Sequence, residues 1–275
     1  MTQGEFKPVV LITGASSGLG RSAAKHLGSQ GCRVYGTSRG ANHPTPGALP
    51  FYPVIIPMDV RDDSSVKAAV DFVLEQEGRI DVTVNNAGLG LSGPVEETTI
   101  EEAKAQLETN FFGLHRVCRT VLPTMRRQRS GLIINIGSIG GRVAIPFQGF
   151  YSASKAAVAL LTEALRMELR PFGVDVVLIE PGDFRTGFTA NRLAVGQGGS
   201  VYAERCGKAV SVMEKDEQNG ADPLELAILL SKIIESGKPG PRYMVGMTSQ
   251  KLVARLKSIL PASVFERIIS SYYRI

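Results

Sequence analysis

Residues 9–20, "VVLITGASSGLG", leave this chain few ways to fold. The run opens with four consecutive apolar residues and no alternation. A run that short is a strand buried on both faces, and such strands belong to parallel sheets covered by helices. Gly14, Gly18 and Gly20 then turn the chain into residues 18–30, whose apolar positions recur at helical spacing up to Gly31. Strand, glycine turn and helix make half of a βαβ unit, so the rest of the chain should repeat the theme.

It does. Residues 33–38, 54–59, 80–86, 131–138, 174–180 and 242–246 read as further strands. Helical patterns separate them. Residues 62–76 start near Asp62 or Asp63 and stop at Gly78, and residues 99–127 form one long pattern. Residues 150–170 end near Pro171 and Gly173, and residues 222–236 take Asp222 as cap and Pro223 as first residue. Residues 40–53, with four prolines, read as a loop. At 275 residues, with no repeat and no low-complexity linker, the chain fits one α/β domain with helices on both faces of the sheet. Residues 183–221 break the alternation and carry the Gly-rich patch 196–199. An insertion there lies past a strand's carboxyl end, where a substrate lid would sit.

Composition narrows the function classes. The net charge of +5 is modest. Arg126, Arg127 and Arg129 cluster before Gly131, where cations suit a helix end, and no aromatic platform accompanies them, so no nucleic-acid partner is expected. Cys32, Cys118 and Cys206 form no CxxC pair and read as buried small hydrophobes in a reducing compartment. His26, His43 and His115 form no ligand cluster, so no metal is expected. No signal-peptide start and no run of about 18 apolar residues occurs. The expectation is a cytoplasmic protein with no integral membrane segment.

The glycine turn has a chemical reading. A helix N-terminus offers unpaired N–H groups and the positive end of a dipole, which suit a pyrophosphate. A tight turn that binds nothing is the plainer alternative. The second strand ends Thr37-Ser38-Arg39 without the carboxylate that bonds a ribose 2′-hydroxyl in NAD sites. Arg39 can instead pair with a 2′-phosphate. NADP(H) is therefore the expected cofactor, with NAD(H) the alternative.

Tyr151 and Lys155, in "YSASK", share a helix face at i,i+4 spacing. A free phenol titrates near pH ~10, and a neighbouring ammonium favours its ionised form. Ser138 stands at the carboxyl end of the preceding strand, on the edge where parallel sheets bind ligands. Residues 85–90, "NNAGLG", end the neighbouring strand in glycines that allow close backbone approach.

With these motifs in order, the chain resembles the short-chain dehydrogenase/reductase family over residues 8 to about 246. The matching positions are Thr13, Gly14, Gly18 and Gly20; Asp59-Val60; Asn85 to Gly88; Asn110; Ser138; Tyr151 and Lys155; and Pro181-Gly182 followed by Thr186. The resemblance implies a Rossmann-like doubly wound domain with a seven-stranded parallel sheet ordered 3-2-1-4-5-6-7. It implies hydride transfer between a nicotinamide and a carbonyl or secondary alcohol, with Tyr151 as general acid or base. Lys155 lowers the pKa of Tyr151 and binds the nicotinamide ribose, Ser138 orients the carbonyl, and Asn110 holds a relay water. The loop residues Ser16, Ser17 and Leu19 join the glycines around the cofactor. Asp59 and Val60 meet the adenine, Asn86, Ala87 and Gly88 the adenosine side, and Pro181, Gly182 and Thr186 the nicotinamide. Ser38 and Arg39 hold the positions that set cofactor type. Members often carry a second basic residue in the glycine loop for NADP; here Ser16 and Ser17 stand there.

Three further expectations complete the reading. The helices at 107–127 and 150–170 carry a second apolar stripe, which predicts a homodimer or homotetramer. Residues 248–275 form two amphipathic pieces divided by Pro261, read as packing on the protein's own body or on a partner subunit rather than on a membrane. Val143, Ile145, Phe184 and Phe188, with Leu193 and Val195 in the lid and Gly93, Pro146 and Phe147 nearby, predict an apolar pocket. Steroid-, retinoid- or lipid-like alcohols and ketones are then the expected substrates. The alternatives are a sugar or 3-oxoacyl reductase, and a non-catalytic NADP-binding sensor.

Overall fold

The computed structural model describes residues 7–41, 53–188, 192–196 and 199–275. His43, most of the loop expected over 40–53, and Gln197 and Gly198 of the Gly-rich patch lie outside the described residues.

Nine strands are described: β1 (Val9–Ile12), β2 (Arg33–Ser38), β3 (Val54–Pro57), β4 (Val82–Asn85), β5 (Leu91–Ser92), β6 (Gly131–Ile136), β7 (Val174–Pro181), β8 (Leu193–Ala194) and β9 (Arg242–Val245). Seven form one parallel sheet in the order β3-β2-β1-β4-β6-β7-β9. The two-residue strands β5 and β8 pair with each other and stand apart from it. Numbered without them, the sheet has the expected order. β5 and β8 are too short to carry any periodicity, yet they hook the lid onto the rim of the site.

Successive strand residues feed opposite layers, as the pleat requires. Leu11 and Ile133 enter the core under α2 (Asp63–Glu77), α4 (Gly113–Gln128) and α5 (Gly149–Leu169). Ile12 and Ile134 enter the opposite core, under α1 (Gly18–Ser29) and α7 (Pro223–Glu235). Each fully buried Leu or Ile contributes about 1.5–3 kcal/mol. The expected caps form. Asp62 accepts the Ser65 N–H at 2.6 Å, Gly78 closes α2 at φ 68°, and Asp222 accepts the Leu224 N–H at 2.9 Å.

Several expectations are corrected. The single helix expected over 99–127 is α3 (Ile100–Leu107), a π-helical turn over Glu108–Phe112, and α4. The wider turn carries Asn110 inward, and such turns occur where function needs a side chain re-aimed. Arg129, not Gly131, takes the left-handed end of α4 at φ 54°. Gly131 instead opens β6, where an added Cβ would stand 2.7 Å from Met125. Of the cysteines only Cys118 is buried; Cys32 and Cys206 are half-buried. The lid contains a helix that no motif announced, α6 (Ala203–Gln218). The C-terminal pieces are α8 (Thr248–Leu256) and α9 (Ala262–Tyr272). They pack on the body through Ala254 and Phe265 against Ile139 and Val143.

Candidate active site

The cradle between β1 and α1 is held by two short side chains bonded to backbone groups and by close glycine packing. Thr13 Oγ1 accepts the N–H groups of Asn86 at 2.9 Å and Ala87 at 2.8 Å, which ties the ends of β1 and β4 together. Asn86 Nδ2 donates to the carbonyls of Thr13 and Gly14 at 2.9 and 3.1 Å, so its side chain is engaged in building the loop. Gly14 turns at φ 66°, and a Cβ on Gly20 would lie 2.3 Å from the Gly14 carbonyl oxygen. Ser17 caps α1 without a side-chain bond, and no acidic residue occupies the first turn. Ser16 and Ser17 are exposed beside it, and Leu19 packs into the core beneath. Helix-end N–H groups left to an external anion, above a floor of glycines, fit a dinucleotide's pyrophosphate. Thr186 lies across this loop, 3.5 Å from the Cβ position of Gly18.

At the end of β2, the Ser38 hydroxyl accepts the Gly40 N–H at 3.2 Å, and Arg39 is exposed. Asp59 is gripped by Arg61, a residue that no motif flagged, at 2.6 Å. The Arg61 bonds hold the Asp59 carboxyl below its usual range, and Arg39 adds to that pull. The aspartate assigned to the adenine is thus already paired with a guanidinium. Val60 is buried, packed against Gly113.

The reacting groups gather at the ends of β6 and α5. A Cβ on Gly140 would lie 3.2 Å from Ser138 Oγ, 3.4 Å from Tyr151 Cε1 and 3.0 Å from Ile145 Cδ1, so these three converge on one spot. Ser138 Oγ accepts the Gly140 N–H at 3.0 Å, and its hydroxyl acts to lower the pKa of the phenol. The ring of Phe188 lies 5.9 Å from that of Tyr151. Lys155 is buried and donates to the Ile136 carbonyl at 2.9 Å. Gly88, expected on the adenosine side, stands instead beside Lys155 and Asn110, with its Cβ position 3.8 Å from Nζ and 3.6 Å from Oδ1. Asn110 is buried and fixes the Leu89 peptide from both sides, accepting its N–H at 2.8 Å and donating to its carbonyl at 3.0 Å. It also donates to Ser154 Oγ at 3.1 Å.

Burial dominates the titration of both Tyr151 and Lys155. Burial pushes Tyr151 up to about 12, only partly offset by the Ser138 bond, while the charges of Asp183 and Glu217 push it further up. Burial also brings Lys155 down to about 8. Desolvation outweighs the pair attraction because both groups sit out of water. Near neutrality Tyr151 therefore holds its proton and stands as an acid.

The expected pocket wall is only partly right. Phe188 and Ile145 face the phenol, but Phe184 is core under α7 and Val143 seats the C-terminal helices. Both were apolar enough for either role, and only the fold decides. Val195 is buried against Gly93, and Leu193 is half exposed. The rest of the wall is charged. Asp183 follows Pro181 and Gly182 at the end of β7. Its N–H donates to Gln250 Oε1 at 2.9 Å, and Gln250 Nε2 donates to its carboxylate. Burial pushes Asp183 up to about 6. Arg192 forms a buried ion pair with Glu217 of α6, which burial pushes up to about 7. Tyr272 of α9 donates to Asp216 of α6 at 2.7 Å, closing the cap. A groove of about 820 Å³ runs beside the glycine loop, bordered by Gly18, Arg21, Thr186 and Glu217. None of these charged residues repeats at a fixed spacing. Asp183 alone had a signal, its place directly after Pro181-Gly182.

Residues 8–195 match the model of a family described as short chain dehydrogenase. The chain is 44% identical over 270 residues to a 3-ketodihydrosphingosine reductase of Bacteroides thetaiotaomicron, covering 97% of this chain and 98% of that one. It is 38% identical over 254 residues to a 17-beta-hydroxysteroid dehydrogenase type 1 of Mus musculus, covering 86% and 72% of the two chains. A solved short-chain dehydrogenase from Streptomyces avermitilis superposes with a TM-score of 0.81 at 33% identity, covering 94% of each chain.

Proposed function

Because the chain belongs to the short-chain dehydrogenase/reductase family and is an oxidoreductase, we propose that it reduces the ketone of a long-chain lipid of the 3-ketodihydrosphingosine class, using NADPH. The observation that carries this reading is the convergence of Ser138, Tyr151 and Ile145 on Gly140 beside a buried Lys155. Bound in the glycine cradle, the reduced nicotinamide supplies the hydride. The chain's own residues do the rest. Ser138 and Tyr151 donate hydrogen bonds to the carbonyl oxygen and polarise it. As negative charge grows on that oxygen, Tyr151 passes it a proton, and the product is the secondary alcohol. Asn110 holds the Leu89 peptide against the π-helical turn and keeps the floor of the site rigid.

The preference for NADP(H) is supported by the missing carboxylate at Ser38, by exposed Arg39 and by Arg61 at the same edge. A steroid alcohol or ketone is the second reading, favoured by the likeness to the mouse enzyme. The proposed assembly is a homodimer or homotetramer through α4 and α5, supported by the exposed Leu160 and Met167 at 69% and 72%. The cytoplasmic setting is part of the same reading. Among the described residues no helix is long and apolar enough to cross a membrane.

Tyr151→Phe tests the assignment. NADPH consumption with 3-ketodihydrosphingosine should fall by about 10²–10⁴-fold. The thermal shift that NADPH gives the protein should stay. Turnover within threefold of the parent would refute it, and a larger thermal shift with NADH than with NADPH would refute the role of Arg39.

A further inference from the structure

The last two helices bury one apolar face and leave a second one open. Their inward side chains, Val253 and Ala254 of α8 and Phe265 and Ile269 of α9, share one cluster with Ile139 and Val143. That packing on the body was expected of this segment. The outward side chains were not accounted for. Ile259, in the connection between the helices, is 76% exposed and Leu252 55%, and Val264 and Ile268 are exposed on α9. Both helices lie with their inner faces on the same cluster, so both outer faces look away from the body. Three- and four-residue spacings put Leu252 and Arg255 together on α8, and Val264, Arg267 and Ile268 together on α9.

Charge singles out the same segment. Residues 248–275 hold Lys251, Arg255, Lys257, Arg267 and Arg274 against Glu266 alone, five cations to one anion, a net +4 of the chain's +5. Among the described residues, no ion pair holds Lys251, Arg255 or Arg267. Lys257 donates to the Arg142 carbonyl at 2.5 Å and keeps its charge. The face also adjoins the site, because Gln250 of α8 bonds Asp183 at the end of β7.

We propose that the outer faces of α8 and α9 seat the protein on an anionic lipid surface. Leu252, Ile259, Val264 and Ile268 enter the boundary of the acyl chains, and the surrounding cations meet the headgroup phosphates. The mode is peripheral, since among the described residues no helix is long and apolar enough to cross a membrane. The proposal goes beyond the reductase reading and holds whichever ketone is reduced. A lipid surface satisfies both halves of the face. A nucleic acid would answer the cations and leave the aliphatic side chains in water. A second copy of the chain would cover the aliphatic side chains but set one +4 face against another, and like charges across an interface are costly.

The test is co-sedimentation of the full chain with vesicles, without substrate or cofactor. One set is phosphatidylcholine alone, and the other contains phosphatidylglycerol as well. The parent protein should bind the anionic vesicles about tenfold to a hundredfold more tightly, and high salt should release it. The triple variant Lys251→Gln, Arg255→Gln, Arg267→Gln should lose that preference. The double variant Ile259→Ser, Ile268→Ser should bind the anionic vesicles about tenfold more weakly than the parent. All five side chains lie at the surface, so both variants should melt within about 2 °C of the parent. Equal binding of the parent to both vesicles, binding that salt leaves unchanged, or no binding at all overturns the proposal without recourse to a variant. If no vesicle is bound and the double variant turns a parent dimer into a monomer in sedimentation velocity, the face belongs to a second copy.

Discussion

The glycine loop between β1 and α1 and the cap made by α6, α8 and α9 border the same groove and hold their shapes by different means. In the loop, backbone meets backbone at close range, with Gly14 at φ 66° and Gly20 pressed on a carbonyl oxygen. In the cap, long polar side chains reach across: Arg192 to Glu217, Gln250 to Asp183, and Tyr272 to Asp216. At Gly20 the loop has no room for an added atom. The cap holds Glu217, pushed up to about 7, and covers Asp183, pushed up to about 6. The first kind of construction fixes a cofactor common to many enzymes. The second can be retuned for a substrate, because exchanging one side chain alters charge without moving the sheet.

The comparison is broken most directly at Gly20. In Gly20→Val the first side-chain atom would stand 2.3 Å from the Gly14 carbonyl oxygen and 2.5 Å from Asn86 Nδ2, so the loop must shift. Overpacking of this kind costs about 1–3 kcal/mol. NADPH affinity, read by fluorescence titration, should fall about tenfold to a hundredfold. An affinity within twofold of the parent would mean the loop is not held by contact.

The same contrast explains what the sequence reveals. Glycines at Gly14, Gly18 and Gly20 are legible because a backbone conformation narrows the choice of residue, and Tyr151 and Lys155 because one helix fixes their spacing. The parallel sheet was legible because unbroken apolar runs alternate with helical ones, and its strand order because the motifs resemble a family's. Arg192 and Glu217 are 25 positions apart and meet only through the fold. The π-helical turn at Asn110 has the same periodicity as its neighbours over one turn and passes as α-helix. The burial of the phenol is hidden for a related reason. Spacing gives the neighbour but not the depth of burial, and here depth decides.

A medium effect is expected at Gln250, which ties α8 to the end of β7. Gln250→Ala removes the acceptor of the Asp183 N–H and the donor to its carboxylate. The loss is about 1–3 kcal/mol, since the partners stay largely buried. A urea titration should show the lower midpoint, while NADPH affinity stays within about twofold. An equal loss of cofactor affinity would mean that loop and cap are one mechanical unit, and the contrast between them would fail.

The smallest effect sharpens the contrast most, because it turns on pH. Burial raises Asp183 from its ordinary carboxyl value to about 6, with Asp216 pushing the same way while Gln250 and Arg192 oppose. A raised carboxyl favours its protonated form in the folded state. Its contribution to stability is therefore fully present below the unfolded value of about 3.9 and lost as pH rises through about 6. At pH 8 the parent protein keeps a charge in the cap that Asp183→Asn lacks. The variant should melt about 2–4 °C higher there, the size of roughly 1 kcal/mol in a large domain. At pH 5 the parent carboxyl is mostly protonated and the difference should close. A substitution in the glycine loop should shift melting equally at both pH values. If Asp183→Asn did so too, the cap would be as indifferent to pH as the loop, and its buried carboxyls would be structural polar groups with no charge to offer a substrate.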